Sequence, residues 1–360
     1  MFTLDMDKET TLVGSIDSRP VDLVLTSFFA RSKSRAEAMH PDYLAMWEHL
    51  EACTVGGKRF RPRLVMTIYG LLGGTDTTTA ATVAAAFELL HTALIVHDDV
   101  VDRDFTRRGV PNVSGAYRKL AADKGAADRA EHTGLSVGVI AGDLALSHSY
   151  RLMGEIDVDL STRQKLGDLL DEAVFASAGG ELLDVLAPLD PTPQSVDEVL
   201  DMARLKTAVY SFEAPLQAGA VLAGADTRLV DALGAFGRCI GIAYQIADDL
   251  IGVFGDETRT GKIGWGDLRE GKRTALISHA ATQPQWTRIA ELLANPDLNA
   301  AGAAEARTLL IESGARDRAM QLAAEFTEQA LQQLTSAFVP QELRDGLTPL
   351  SDVVTERVRV

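Results

Sequence analysis

Two stretches of this 360-residue chain end an apolar run in paired aspartates. The first reads Phe87-Glu88-Leu89-Leu90-His91-Thr92-Ala93-Leu94-Ile95-Val96-His97-Asp98-Asp99-Val100-Val101-Asp102. At helical pitch, Phe87, His91, Leu94, Asp98 and Asp102 share one face, so an apolar wall leads to two carboxylates one turn, roughly 6 Å, apart. Carboxylates this close repel, and oxygen-only donors suit Mg²⁺. That ion takes one or two carboxylates and completes its octahedron with water or phosphate oxygens. A solvated helix end would show the same pattern. The second stretch, Tyr244-Gln245-Ile246-Ala247-Asp248-Asp249, brings Asp248 150 residues after Asp98. Gln245 sits one turn before Asp248 on its face. Two such helices can face each other across a cavity, with a metal–diphosphate cluster at the mouth and an apolar tail below.

Phosphates need cations, and these occur near both acidic stretches. Gly56-Gly57-Lys58-Arg59-Phe60-Arg61-Pro62 opens a helix, where backbone N–H groups add to the side-chain charge. Arg107-Arg108 follows the first acidic stretch, and Lys206-Thr207 sits mid-chain. Gly261-Lys262 and Asp267-Leu268-Arg269-Glu270-Gly271-Lys272-Arg273 follow the second. Singly, each of these would be an ordinary surface charge.

The elements that must position these groups are helices. Aromatics are 6% of the chain, and alternating strand-like runs are rare. Helical periodicity covers roughly 20–33, 41–53, 60–72, 79–104, 134–155, 161–180, 195–223, 227–254, 273–293, 302–313 and 315–336. Gly73-Gly74 and Pro191-Thr192-Pro193 punctuate it, and Ser195 is placed to cap a helix at Val196. Residues 119–133 read as an exposed polar loop, and 255–272 as too glycine-rich and charged for a helix. One all-α domain over 1–360 is expected, with 1–19 loosely ordered.

The formal net charge of −16 disfavours general nucleic-acid binding, which needs basic patches. Cys53 and Cys239 form no metal or redox motif, which fits a reducing, cytoplasmic setting. The first residues carry no signal-peptide pattern, and no apolar run reads as long enough to span a membrane.

Taken in order, GGKRFRP, HDDVVDRDFTRRG, AGDLAL, Lys206-Thr207, YQIADD and TGKIG…DLREGK resemble the trans-isoprenyl diphosphate synthases, the family of farnesyl and geranylgeranyl diphosphate synthases. The likeness runs from Gly56 to about Lys272, most closely to a bacterial geranylgeranyl enzyme. It implies a single polyprenyl synthetase domain, an isoprenoid synthase-type helical bundle around a deep central cavity, and a homodimer. It also implies Mg²⁺-dependent condensation of isopentenyl diphosphate with allylic diphosphates (dimethylallyl, geranyl or farnesyl).

By that resemblance Asp98 and Asp102 would ligate two Mg²⁺ ions and Asp248 a third, with Asp99 and Asp249 as supporting acids. Arg107, Lys206 and Lys262 would hold the allylic diphosphate, and Lys272 would join the diphosphate-binding set. Lys58, Arg61, His91 and Arg108 would hold isopentenyl diphosphate, while Thr207 and Gln245 would lie near the developing carbocation. The second motif departs from the family's DDxxD, because Gly252 stands four residues after Asp248. Asp256 is a candidate to compensate.

Product length follows from the wall before Asp98. Ala93 and Leu94 lack the aromatic bulk that blocks the pocket in farnesyl-specific relatives, and Leu90 then Phe87 come next. Phe87, eleven residues and roughly 16 Å from Asp98, is either the pocket floor or ordinary core. The floor reading favours geranylgeranyl diphosphate over farnesyl or longer products. A class I terpene cyclase would not need the isopentenyl cations. A non-catalytic subunit of a heteromeric synthase would have lost more acidic residues than the one at Gly252.

Overall fold

The computed structural model describes residues 18–55, 59–107, 109–190, 192–255 and 265–358 and is almost wholly helical. The described residues gather in two compact units, one within 18–170 with 221–224 and one within 171–220 with 225–358.

In the first unit, helices Arg19–Glu37, Pro41–Thr54, Phe60–Leu71, Val113–Asp123 and Ala130–Gly154 accompany the long helix Thr77–Val101. That helix packs on Ala130–Gly154, Phe60–Leu71 and Arg19–Glu37. Its Ala80, Ala81, Ala84, Ala85 and Ala86 are completely buried, so small side chains bring neighbours close on several sides. Asp76 starts it by accepting from the backbone N–H groups of Thr78 and Thr79 at 3.2 and 3.0 Å.

The second unit centres on helix Thr227–Phe254. It packs against Ala315–Gln333, Gln341–Val358 and the wide-turn segment Arg204–Glu213. Ile242, Ile246, Leu250 and Val253 share a core with Leu268, Leu276, Ile289, Leu310 and Leu322. Ser195 caps the helix beginning at Val196 through a reciprocal capping box with Glu198, as its position in the sequence suggests.

Several sequence expectations need correction. Residues 119–133 are not a loop, since helix Val113–Asp123 and helix Ala130–Gly154 cover most of them. Asn112 caps the first of these by accepting from the Gly115 N–H, and Tyr117 and Ala121 give it a buried face that the surrounding charges obscure. Residues 273–293 divide into Ala275–Ala280 and Trp286–Leu292 around Pro284, which lacks the N–H that a continuous helix needs. Of residues 195–223, those from 196 to 222 are helical, but Arg204–Glu213 takes a π-helical register. Gly266–Glu270 forms one short helical turn within the stretch read as too irregular. Helix Gln341–Val358 was not expected, and it carries Pro349 in its interior. The membrane expectation also changes. Thr77–Val101 and Thr227–Phe254 are both long and apolar enough to span, but 78% and 61% of their most apolar windows are buried inside the protein.

Candidate active site

The first acidic helix, Thr77–Val101, has a burial gradient along its length. Phe87, Leu90 and Ala93 are fully buried, His91 and Leu94 are half-buried, Asp98 is half-buried, and Asp102 is exposed. Asp102 lies just past the last helical residue, and its N–H still donates to the Asp98 carbonyl at 2.8 Å. Asp99, the next residue after Asp98, is buried. Its Oδ1 accepts from Arg107 Nε at 3.0 Å and Nη2 at 2.6 Å, and the same Nη2 lies 3.5 Å from Asp98 Oδ2. Arg107 reaches them from a two-residue antiparallel hairpin, Thr106–Arg107 with Val110–Pro111. Burial raises the Asp99 pKa above the usual carboxylate range, and Arg107 pulls it back only in part.

Arg61 is half-buried in the first turn of Phe60–Leu71. The residue before that helix, Arg59, has a left-handed backbone with φ of 50°. Its guanidinium binds Asp22 at 3.1 Å and the buried Glu88 at 2.8 Å. Glu88 belongs to the first acidic helix, so an ion pair fastens the basic segment to it. Sequence reasoning passed over Arg59 and Glu88; the signal available was a lone glutamate inside an otherwise apolar run.

Lys206 lies in the π-helical segment and pairs with Asp184 at 2.6 Å and Glu181 at 3.0 Å. The next residue, Thr207, donates its hydroxyl to Gln245 Oε1 at 2.9 Å, and Gln245 Nε2 donates to Asp249 at 2.8 Å. A polar relay thus links the lysine–threonine pair to the second acidic helix. Its close packing depends on Gly180 and Gly241. A Cβ on Gly180 would fall 2.3 Å from the Lys206 backbone nitrogen, and one on Gly241 would fall 2.6 Å from Ala208 Cβ.

At the end of Thr227–Phe254, Asp248 is exposed and paired with Arg357 at 2.7 Å. The Arg357 guanidinium also stacks 4.5 Å from the centre of the Tyr244 ring. Arg357 belongs to the unexpected C-terminal helix, so no local motif could have pointed to it. Asp249 is held well above the ordinary carboxylate range by burial and by repulsion from Asp267 and Asp248, against the hydrogen bond from Gln245. Lys272 Nζ lies 3.1 Å from Asp267 and 3.4 Å from Glu270. Burial lowers the Lys272 pKa, but Asp267, Glu270 and Asp249 more than reverse this and leave its ammonium firmly charged. Lys58, Arg108, Lys262 and Asp256 lie outside the described residues.

Among the described residues, no three acidic, histidine or cysteine side chains converge tightly enough to hold an ion alone. The donors present still fit Mg²⁺. They are carboxylates that reach solvent in ones and twos, and Mg²⁺ takes few protein ligands and leaves the rest to water and phosphate.

The family model for polyprenyl synthetase matches residues 45–310. Geranylfarnesyl diphosphate synthase of Aeropyrum pernix is 32% identical over 315 residues, 86% of this chain and 93% of that protein. Geranylgeranyl diphosphate synthase of Sulfolobus acidocaldarius is 35% identical over 226 residues, 62% of this chain and 63% of that one. The crystal structure of geranylgeranyl pyrophosphate synthase from Corynebacterium glutamicum, complexed with isoprenyl diphosphate and magnesium, superposes with a TM-score of 0.86 at 30% identity. That likeness covers 95% of this chain and 100% of the other. The isoprenoid synthase fold, the acidic helices and the family match agree: this chain belongs to the polyprenyl synthetase family and is a prenyltransferase that makes trans-prenyl diphosphates.

Proposed function

We propose that the enzyme condenses isopentenyl diphosphate with dimethylallyl, geranyl and farnesyl diphosphates in turn and releases mainly geranylgeranyl diphosphate. The observation that carries this reading is the graded face from buried Phe87 to exposed Asp102. In this reading a growing apolar tail enters past the half-buried Leu94 toward Phe87 while its diphosphate stays at the carboxylate end. The small Ala93 and the aliphatic Leu94 and Leu90 leave the farnesyl stage unblocked, so elongation continues to Phe87.

Asp98, Asp102 and Asp248 are the metal ligands in this reading, with three Mg²⁺ ions per active site. Bound Mg²⁺ would neutralise the diphosphate leaving group. Arg107, Lys206, Lys262 and Lys272 hold the allylic diphosphate and spread its charge as the C–O bond breaks. Lys58, Arg61, His91 and Arg108 hold isopentenyl diphosphate, whose double bond attacks the allylic cation. Thr207 and Gln245 offer oxygen lone pairs toward that cation, and Asp249 fixes the Gln245 amide. The proton lost from the new chain goes to the released diphosphate.

The active form in this reading is a homodimer. Phe175, Leu182, Leu186 and Leu189 recur at helical spacing and are 76%, 58%, 46% and 77% exposed. A second copy of the chain would cover that stripe. The experiment for function is a chromatographed product assay with isopentenyl diphosphate, Mg²⁺ and each allylic primer in turn. Geranylgeranyl diphosphate as the main product is expected. A farnesyl or longer main product would overturn the length assignment, and a hydrocarbon from the allylic substrate alone would overturn the elongation reading.

A further inference from the structure

The second acidic motif has Gly252 where its family pattern would carry a third carboxylate. That position is occupied from elsewhere. A Cβ built on Gly252 would fall 2.0 Å from Asp267 Oδ2 and 2.7 Å from its Cγ, both well inside van der Waals contact. The Asp267 carboxylate therefore stands where a side chain at residue 252 would begin.

Asp267 is held there from several directions. It lies in the first turn of the short helix Gly266–Glu270, whose Leu268 is buried in the core that also contains Leu250 and Val253. Gly271 ends this helix in the left-handed region at φ of 72°. The closing turn donates Gly271 N–H to the Leu268 carbonyl at 3.2 Å and Lys272 N–H to the Asp267 carbonyl at 3.0 Å. This folds Lys272 back over Asp267, so that its Nζ meets Asp267 Oδ1 at 3.1 Å. One carboxylate oxygen thus fills the Gly252 notch while the other holds the lysine.

We propose that Asp267 is a positioning residue that holds the Lys272 ammonium against the end of the second acidic helix, and that Gly252 is the space that admits it. The inference rests on the reading of Lys272 as a diphosphate-holding cation. The glycine is then a co-adapted change rather than a lost ligand. Among the described residues, Asp267 is an acid that stands at the missing position. A counterintuitive result follows: restoring the family's carboxylate with Gly252→Asp weakens the site, because the new side chain displaces Asp267 and with it Lys272.

The test uses the full chain, with inorganic pyrophosphate and Mg²⁺ titrated by calorimetry and allylic-substrate kinetics measured alongside. Gly252→Asp, Asp267→Asn and Lys272→Ala are each expected to weaken pyrophosphate binding about tenfold and to raise the allylic KM more than they lower kcat. Asp267→Asn is nearly isosteric, which keeps the test informative if Gly252→Asp folds poorly. The double variant Asp267→Asn/Lys272→Ala should bind no worse than Lys272→Ala alone, since the first residue acts through the second. Binding by Gly252→Asp equal to or tighter than wild type, or additive losses in the double variant, would overturn the proposal. Wild-type protein that neither binds Mg²⁺–pyrophosphate nor elongates a primer would instead overturn the underlying reading of the site.

Discussion

Arg107 donates two hydrogen bonds to the buried Asp99 carboxylate while staying 3.5 Å from Asp98. The arginine expected to hold substrate is therefore also the counter-ion of the first acidic motif. A buried carboxylate that loses its partner is left with an uncompensated desolvation cost. Arg107→Gln should therefore destabilise the protein as well as slow turnover. In a double-mutant cycle with Asp99→Asn, a coupling energy of about 2 kcal/mol in chemical denaturation is expected. Additive effects would show that the pair is not coupled.

Phe87→Ala should lengthen the product by at least one isoprene unit. The phenyl ring is fully buried, so the truncation should also cost about 3 kcal/mol of stability. Phe87→Leu keeps most of the volume and serves as the milder variant. Chromatography of the products distinguishes the two roles: a pocket floor changes product length, whereas ordinary core changes stability alone.

Replacing Phe175 and Leu182 together with glutamate should convert a dimer to a monomer in sedimentation. Both side chains are exposed, so the fold itself should survive. An unchanged sedimentation coefficient would remove this stripe from the interface.

Asp76 caps the first acidic helix, and its hydrogen bonds from Thr79 hold its pKa below the ordinary aspartate value. A depressed folded-state pKa contributes stability above the unfolded value, about 3.9, and loses it as pH falls through the folded value. Asp76→Ala should cost about 1 kcal/mol near neutral pH, and the difference from wild type should shrink below about pH 4. Thermal melts across that range measure it. A gap that widens on acidification would contradict the capping role.

Much of the site was legible locally. Asp98 and Asp102 announced themselves because four-residue spacing puts carboxylates on one helical face, and the apolar run before them marked a buried wall. The second acidic helix was legible from the apolar run that ends in Asp248-Asp249, and its limits at 227 and 254 agree with the structure because Asp226 caps one end and Gly255 follows the other. The helix Val113–Asp123 was hidden because its charges outweigh a narrow buried face. Gln341–Val358 was hidden because Pro349 interrupts the expected pattern.

The sequence by itself determined the helical class, the two acidic motifs, the inventory of cations and the family likeness, because those depend on residue type and spacing along one element. Only the tertiary structure decided the partners. Asp99 with Arg107, Lys206 with Asp184, Asp248 with Arg357, and Asp267 in the Gly252 notch join residues from 8 to 109 positions apart. Nothing in local periodicity encodes which distant charge will meet a carboxylate. Burial and helix packing select that partner, and they turned an apparent gap at Gly252 into a seat for Asp267.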